Sequence, residues 1–291
     1  MKEIKYLDPS IKRKKELTKK NFQFIKGTEM PLPSEVEISE SGVCNRKCSF
    51  CPRSDPDFKE VNEFIKPSLH SKLIDQLKEF DYSGVVRYSG FVEPLLDKNI
   101  YNLIKEVRNK LPNSRCEIVT NGDVLNAKRL KKLFESGLST ILISVYDGED
   151  DAKKFEHMCV KENLRKDQFV IRHRYYSEEK DFGLTISNRA GMMKNAEYNI
   201  QPLEKTLNLK CYYPSYTFFM DYNGDVLMCP HDWGKKIILG NMNNNSFLEI
   251  WTSKKAIKIR KKLNKSDRNF SPCNICDVKG DLIGKKHAEN W

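Results

Sequence analysis

Three cysteines, Cys44, Cys48 and Cys51, fall within eight positions of the stretch SGVCNRKCSFCPRS, with no histidine among them. Nine cysteines in all is an odd count, and the start MKEIKYLDPSIKRKK shows no apolar signal core, so ligands are a better reading than disulfides. A structural zinc site closes its tetrahedron with a fourth ligand, and no obvious one stands nearby. An iron–sulfur cluster held by three protein thiolates instead leaves one iron open to a reactant.

A second set, Cys211, Cys229, Cys273 and Cys276, has enough thiolates to fill a closed site. On spacing alone the Cys273-x2-Cys276 knuckle suits zinc as well as iron. Cys116 and Cys159 remain; one opens a predicted strand and the other sits on a predicted helix face, so both read as core. His231, two positions past Cys229, reads as a packing or capping residue.

The elements that must position these residues alternate. EVEISES (35–41) is strand-like and runs into the first cysteine loop. SLHSKLIDQLKEF (68–80) puts Leu69, Leu73, Ile74 and Leu77 on one helical face, with Ser68 as its expected N-cap. Predicted strands at 84–90, 116–122, 140–145 and 168–176 alternate with predicted helices at 99–111, 126–137 and 150–163. The order argues for an α/β fold: a partial TIM-like (β/α) barrel of about five to six parallel strands, with chemistry on loops at the strands' C-terminal ends. Beyond about residue 200 the pattern becomes a hairpin around Asn223-Gly224, then loops and one basic helix. The expected division is a charged extension (1–34), the barrel (35–200) and a small C-terminal β-hairpin/helix domain holding the second cysteine set (201–291).

Arg172 and Arg174 share one face of the fifth strand, placed for a bidentate carboxylate contact or an interior salt bridge, while His173 points away. In TISNRAGMM (185–193), Asn188 and Arg189 are candidates for substrate hydroxyls or phosphate, or for bracing the domain junction. Arginine keeps its proton, so Arg189 is assigned orientation and charge, not base duty.

Hydrophobic residues at 39% and charged residues at 31% describe a soluble globular protein. No run approaches the roughly 18 apolar residues of a membrane span, so no membrane partner and a cytoplasmic location are expected. Net charge is +11, but the runs KRKK and KKAIKIRKKLNK are not interleaved with aromatics. They read as solvated helix faces, and nucleic acid is disfavoured. A positive surface also suits an acidic electron carrier or a phosphorylated substrate.

Cys44-x3-Cys48-x2-Cys51, with aromatic Phe50 before the last cysteine, resembles the signature of the radical S-adenosylmethionine (radical SAM) enzymes. The resemblance implies a three-cysteine [4Fe-4S] cluster whose open iron is chelated by S-adenosyl-L-methionine, and a 5′-deoxyadenosyl radical that abstracts hydrogen from the substrate. It implies that Phe50 packs near the adenine. YSGFVEPLL (88–96) is similar to the family's Gly-Gly-Glu-Pro segment and offers Glu93 to the methionine amino group, with Val92 where glycine is usual. VTNG (119–122) and ISVYDG (143–148) are similar to the next strand ends, offering Asn121 and, to the ribose, Ser144. Arg174 is then the partner for the methionine carboxylate.

CYYPSYTFFMDYNGDVLMC, GNMNNNSFLEIW and PCNICDVKG resemble the auxiliary-cluster domain of the SPASM and shorter twitch groups. Four cysteines match the twitch version, implying one fully ligated auxiliary [4Fe-4S] cluster and a role in electron transfer. The layout is similar to that of aminocyclitol-oxidising members. That implies a two-electron oxidation of a sugar or cyclitol alcohol, free, phosphorylated or nucleotide-linked, with flavodoxin or ferredoxin as electron donor. A peptide maturase is the alternative enzyme, although the first 34 residues are too short for the leader-binding domain such enzymes carry. A non-catalytic iron–sulfur or zinc protein, or an RNA-binding module, is the alternative outside enzymes.

Overall fold

A computed structural model describes residues 9–175, 186–195 and 199–291. The chain opens with α1 (Pro9–Lys20), followed by β1 (Glu35–Ser39), α2 (Pro67–Glu79), β2 (Val85–Tyr88), α3 (Ile100–Lys110) and β3 (Arg115–Thr120). Then come α4 (Ala127–Glu135), β4 (Thr140–Val145), α5 (Glu149–Lys161) and β5 (Phe169–His173). The remainder holds α6 (Tyr213–Tyr216), β6 (Thr217–Asp221), β7 (Asp225–Leu227), β8 (Ile238–Asn241), α7 (Phe247–Trp251), α8 (Lys254–Asn264) and α9 (Lys285–Glu289). Every strand and helix expected between residues 35 and 175 is present, with its ends moved by a few positions. Tyr176 and Thr185 lie outside the described residues.

Ser68 does not cap α2. Pro67 occupies the first turn and the chain enters from Lys66, because proline needs no partner for an N–H and its φ is already helical.

One eight-stranded sheet runs β5-β4-β3-β2-β1-β6-β7-β8. β1 pairs in parallel with both β2 and β6, so the sixth parallel strand is the first arm of the expected C-terminal hairpin. The hairpin itself forms as anticipated, with Gly224 at φ +90° supplying the turn. The sheet nevertheless runs through it, and the hairpin is not a detached appendage. Among the described residues no helix is long and apolar enough to cross a membrane.

Alternation along the strands divides the barrel into two faces. Val36 and Ile38 of β1, Val86 and Tyr88 of β2, and Cys116 and Ile118 of β3 join the main apolar core with Leu73, Ile74 and Leu77 of α2 and Leu103, Ile104 and Val107 of α3. Cys159 belongs to the same core. The opposite face turns into the lumen and is polar: Glu35, Glu37 and Ser39 on β1, Arg87 on β2, Glu117 on β3 and Ser144 on β4.

The charged leader, expected only as an extension, supplies α1 and with it the lumen's floor. Arg13 is paired with Glu117 and lies 3.2 Å from Thr140 Oγ1, while Lys14 Nζ stands 3.0 Å from Glu35. Arg87 joins the same layer, paired with Glu35 and bonded at 3.0 Å to Glu117. Burial pushes Glu117 up, but Arg87 and Arg13 outweigh it and hold the carboxyl down at about 2. The N-terminal end of the barrel is thus closed by ion pairs, and the site lies towards the other end.

Candidate active site

The first cysteine set leaves the C-terminal end of β1 on a loop that polar contacts pin from several sides. The Cys51 N–H donates to the Cys48 carbonyl at 2.9 Å, and the Glu93 N–H to the Val43 carbonyl at 2.9 Å. Arg46, between the first two cysteines, reaches across two strand ends: Nε is 2.7 Å from Asp123 and Nη1 2.9 Å from Asp147. Its guanidinium also lies 5.4 Å from the centre of the Tyr146 ring. Arg53 is buried and donates to the Phe91 carbonyl at 3.0 Å and the Gly42 carbonyl at 2.7 Å. All three cysteines are half-buried. Burial pushes their thiols up, Cys48 to about 11, so without a bound cation they stay protonated. Thiolates grouped this way require the positive charge of a metal.

The strand-end residues converge beside this loop. Glu93 is buried and clamps its surroundings: its carboxylate accepts from the Leu95 N–H at 3.0 Å, the Thr120 hydroxyl at 2.6 Å and the Asn121 N–H at 2.7 Å. Of about four acceptor positions on a carboxylate, three are taken. Asn121 donates to Asn45 at 2.8 Å, tying β3 to the cysteine loop. Ser144 accepts from Arg172 at 3.1 Å. Of the two arginines, it is Arg172 that meets Ser144; Arg174 continues past β5 with its N–H on the Val145 carbonyl at 2.8 Å. Phe50 packs on Tyr146, ring centres 5.4 Å apart. A polar pocket opens here, lined by Arg46, Asn121, Asp123, Tyr146, Asp147 and Phe155 among others.

The second set surrounds a different, tight pocket, apolar and lined by Cys211, Cys229, Cys273 and Cys276 together with Met228 and Leu263. A Cβ on Gly280 would stand 2.3 Å from Cys211 Sγ, so only glycine admits that sulfur. The His231 N–H approaches Cys229 Sγ at 3.4 Å. Among the described residues no three Cys, His, Asp or Glu side chains gather tightly enough for a single metal ion. Four thiols spaced around one enclosed apolar pocket suit a multi-iron cluster better than one zinc. Burial raises them too, Cys276 to about 11.

Between the two sets lie residues that spacing alone did not bring together. Arg189, at φ +48°, feels the field of Cys51 on one side and sits 3.5 Å from His231 Nδ1 on the other. Its Nε is buried without a partner among the described residues. Burial, then Arg189 and Lys14, push His231 down to about 3, so the ring is neutral. Tyr213 meets His231 edge to face at 4.9 Å, and its phenol is pushed up by burial, then by Cys229, Cys211, Glu35 and Glu37. It therefore stands between the second sulfur set and the lumen. Glu37 accepts from Ser89 at 2.6 Å and is held up by burial and by Glu35. Phe91, Phe219 and Trp233 form an aromatic wall, with Phe91–Trp233 centres 4.4 Å apart. Asn188 is not available to a ligand: it is fully buried and donates to the Ile275 carbonyl at 2.7 Å and the Gln201 carbonyl at 3.1 Å. It braces the Cys273–Cys276 knuckle.

Known proteins match this layout along most of the chain. Residues 38–178 match the radical SAM superfamily, and residues 211–277 match SPASM, an iron-sulfur cluster-binding domain. The S-adenosyl-L-methionine-dependent 2-deoxy-scyllo-inosamine dehydrogenase of Niallia circulans is 31% identical over 250 residues, spanning 84% of this chain and 93% of that protein. The chain belongs to the radical SAM superfamily. As a radical SAM enzyme with a SPASM domain it uses S-adenosylmethionine, a four-iron cluster and auxiliary iron–sulfur ligation. A solved structure, BtrN in complex with AdoMet and 2-DOIA, superposes with a TM-score of 0.74 at 26% identity, covering 90% of this chain and 99% of that one. This radical SAM enzyme is also 26% identical to the GTP 3′,8-cyclase of Clostridium perfringens over 76% of its length, spanning 63% of that relative. The structure of anSMEcpe with bound AdoMet shares the fold at a TM-score of 0.55 and 14% identity.

Proposed function

We propose that this enzyme oxidises a secondary alcohol of a cyclitol or related polyol to the ketone. The observation that carries the reading is the alignment with 2-deoxy-scyllo-inosamine dehydrogenase at 31% identity over 93% of that protein. A polar lumen between two separate sulfur sets supports it. When bound, S-adenosylmethionine at the triad supplies a hydrogen-abstracting radical, and the quartet's cluster supplies an electron acceptor.

The residues take the following parts. Cys44, Cys48 and Cys51 hold the first cluster, and Cys211, Cys229, Cys273 and Cys276 hold the auxiliary one. Phe50 and Tyr146 flank the adenine. The remaining acceptor position of Glu93 meets the methionine amino group, and Asn121 and Ser144 line the adenosine. Arg172, bonded to Ser144, shares carboxylate duty with Arg174. Arg189 orients the reacting hydroxyl and, remaining charged, passes no proton itself. The aromatic wall of Phe91, Phe219 and Trp233 excludes water from the reacting carbon. Residues 35–200, completed by β6 and floored by α1, form the catalytic unit, and the rest of 201–291 the auxiliary one. A flavodoxin or ferredoxin serves as electron donor in the cytoplasm, and Arg189 equally admits a phosphorylated or nucleotide-linked substrate.

Anaerobically reconstituted enzyme, S-adenosylmethionine and dithionite should convert 2-deoxy-scyllo-inosamine, or another member of a polyol panel, to a product lighter by two hydrogens. Equal amounts of 5′-deoxyadenosine should accompany it. Abundant 5′-deoxyadenosine with no such product from any polyol overturns the reading.

A further inference from the structure

The proposed oxidation is redox-neutral when its whole balance is written: alcohol plus S-adenosylmethionine cation gives ketone, methionine, 5′-deoxyadenosine and one proton. One electron enters to cleave the sulfonium, and one leaves as the carbinol loses its hydrogen atom, its hydroxyl proton and that electron. The departing electron reaches a site closed by four thiolates, and a second turnover requires a way out. The wall of that site contains α8. Leu263 lines the pocket, its carbonyl accepts from the Cys211 N–H at 3.1 Å, and Ile259 packs in the cluster of buried residues containing Cys229 and Cys273. Only the thickness of one helix, about 10–12 Å, separates the pocket from the outer face of α8.

That outer face is strongly positive, with one lysine beside it, Lys262, paired to Asp267. Lys254, Lys258, Lys261 and Lys265 are all exposed, and α8 contains no acidic residue. Lys210 and Lys279, beside Cys211 and near Cys276 in sequence, are exposed as well. Helix stability explains only part of this arrangement, through Lys261 and Lys262 in the last turn. Like charges spaced three and four apart repel, by roughly 0.2–0.5 kcal/mol per pair, and Lys254 and Lys255 in the first turn oppose the macrodipole. The exposed helices of the barrel are mixed instead: α4 pairs Lys131 with Glu135, and α5 pairs Lys153 with Glu149.

We propose that the lysine face of α8 docks an acidic one-electron carrier protein, an oxidised flavodoxin or ferredoxin, that collects the electron released in each turnover. The inference rests on the oxidation proposed above. Charge complementarity selects the occupant; α8 itself contains no aromatic residue on which successive nucleotides would stack. A carrier reduced here returns to spend the same electron on the next sulfonium, so a small amount of carrier sustains many turnovers.

The test uses the fully reconstituted enzyme and an acidic oxidised flavodoxin as probe, with affinity measured by calorimetry at several salt concentrations. The triple variant Lys258→Glu, Lys261→Glu, Lys265→Glu should bind roughly tenfold more weakly and with a shallower salt dependence. A control of equal charge change, Lys128→Glu, Lys131→Glu, Lys161→Glu on the barrel helices, should bind as the parent does. With the enzyme reduced beforehand by dithionite, the excess reductant removed and oxidised carrier added well below enzyme concentration, parent and control should form several ketones per enzyme, while the α8 variant should stop near one per enzyme. Its dithionite-driven single turnover should be unchanged, which checks the underlying oxidation separately from docking. Equal affinity in all three proteins, or equal weakening in both variants, overturns the proposal. So does an α8 variant that loses affinity for a single-stranded RNA probe while keeping it for flavodoxin.

Discussion

The triad is drawn from one eight-residue loop, half-buried and fastened from outside by Arg46 and Arg53. The quartet is gathered from three separate stretches around an apolar pocket, where Gly280 makes room for a sulfur and Leu263 closes a wall. The first arrangement leaves an approach open beside the metal, next to a polar cavity. The second surrounds its contents with packed side chains. A centre that must admit a reactant is held by polar contacts around a local loop, and a centre that only passes electrons is held by the core itself.

Breaking each site should therefore have different consequences. Cys48→Ala should lower 5′-deoxyadenosine formation at least about 10³-fold, as expected for loss of a group acting directly on the reaction, while the melting temperature moves little. Cys211→Ala should abolish ketone formation almost as completely, yet keep S-adenosylmethionine cleavage. Because its sulfur is packed against Gly280, it should also lower the melting temperature clearly. If both variants lose cleavage equally, the division of labour fails.

Arg46→Ala sharpens the contrast on the open side. With the fork to Asp123 and Asp147 gone, S-adenosylmethionine affinity should fall about tenfold, the worth of roughly one charge-assisted bond, with the quartet's absorbance unaffected. Equilibrium binding of the cofactor checks this, and an unchanged Kd would remove Arg46 from the support of the cofactor site.

At the floor of the barrel, Arg13→Ala should cost about 2 kcal/mol, read by denaturant unfolding, without altering cofactor affinity. The same network sets a pH dependence. Glu117 is held down near 2 in the folded protein against an ordinary value of 4.5. Its contribution to stability is complete above about pH 4.5 and is lost as pH falls towards 2. Removing Arg13 should shrink that acid-side loss, and an unchanged acid limb would assign it to other carboxylates.

The barrel was legible because its signals are local. Leu69, Leu73, Ile74 and Leu77 recur at helical spacing, and TILISV is a strand in isolation as it is in the fold. The leader helix was not legible, since Arg13 and Lys14 work through ion pairs with Glu117 and Glu35 and leave no apolar stripe to read. β6 was misplaced for a related reason: the Asn223-Gly224 turn announces a hairpin, while nothing nearby announces the pairing of Thr217 with Glu35. At the site the cysteines declared themselves through spacing. Tyr146, Tyr213 and the Arg189–His231 contact did not, because each is an ordinary residue until the fold brings it beside another. Ser68 and Asn188 show the converse, plausible side chains whose neighbours had already settled other uses for them.

Through β1, flanked by β2 on one side and β6 on the other, both metal-binding regions hang from a common backbone ladder. A slip of one residue of β6 against β1 would turn Phe219 away from the lumen while Glu37, held in register by β2, stayed in it, and would shift the cysteine loop relative to the second pocket. The gauge length between the two cysteine sets is consequently tied to the pairing of the sheet, and the same hydrogen bonds that hold the barrel together also bear on how far the electron must travel.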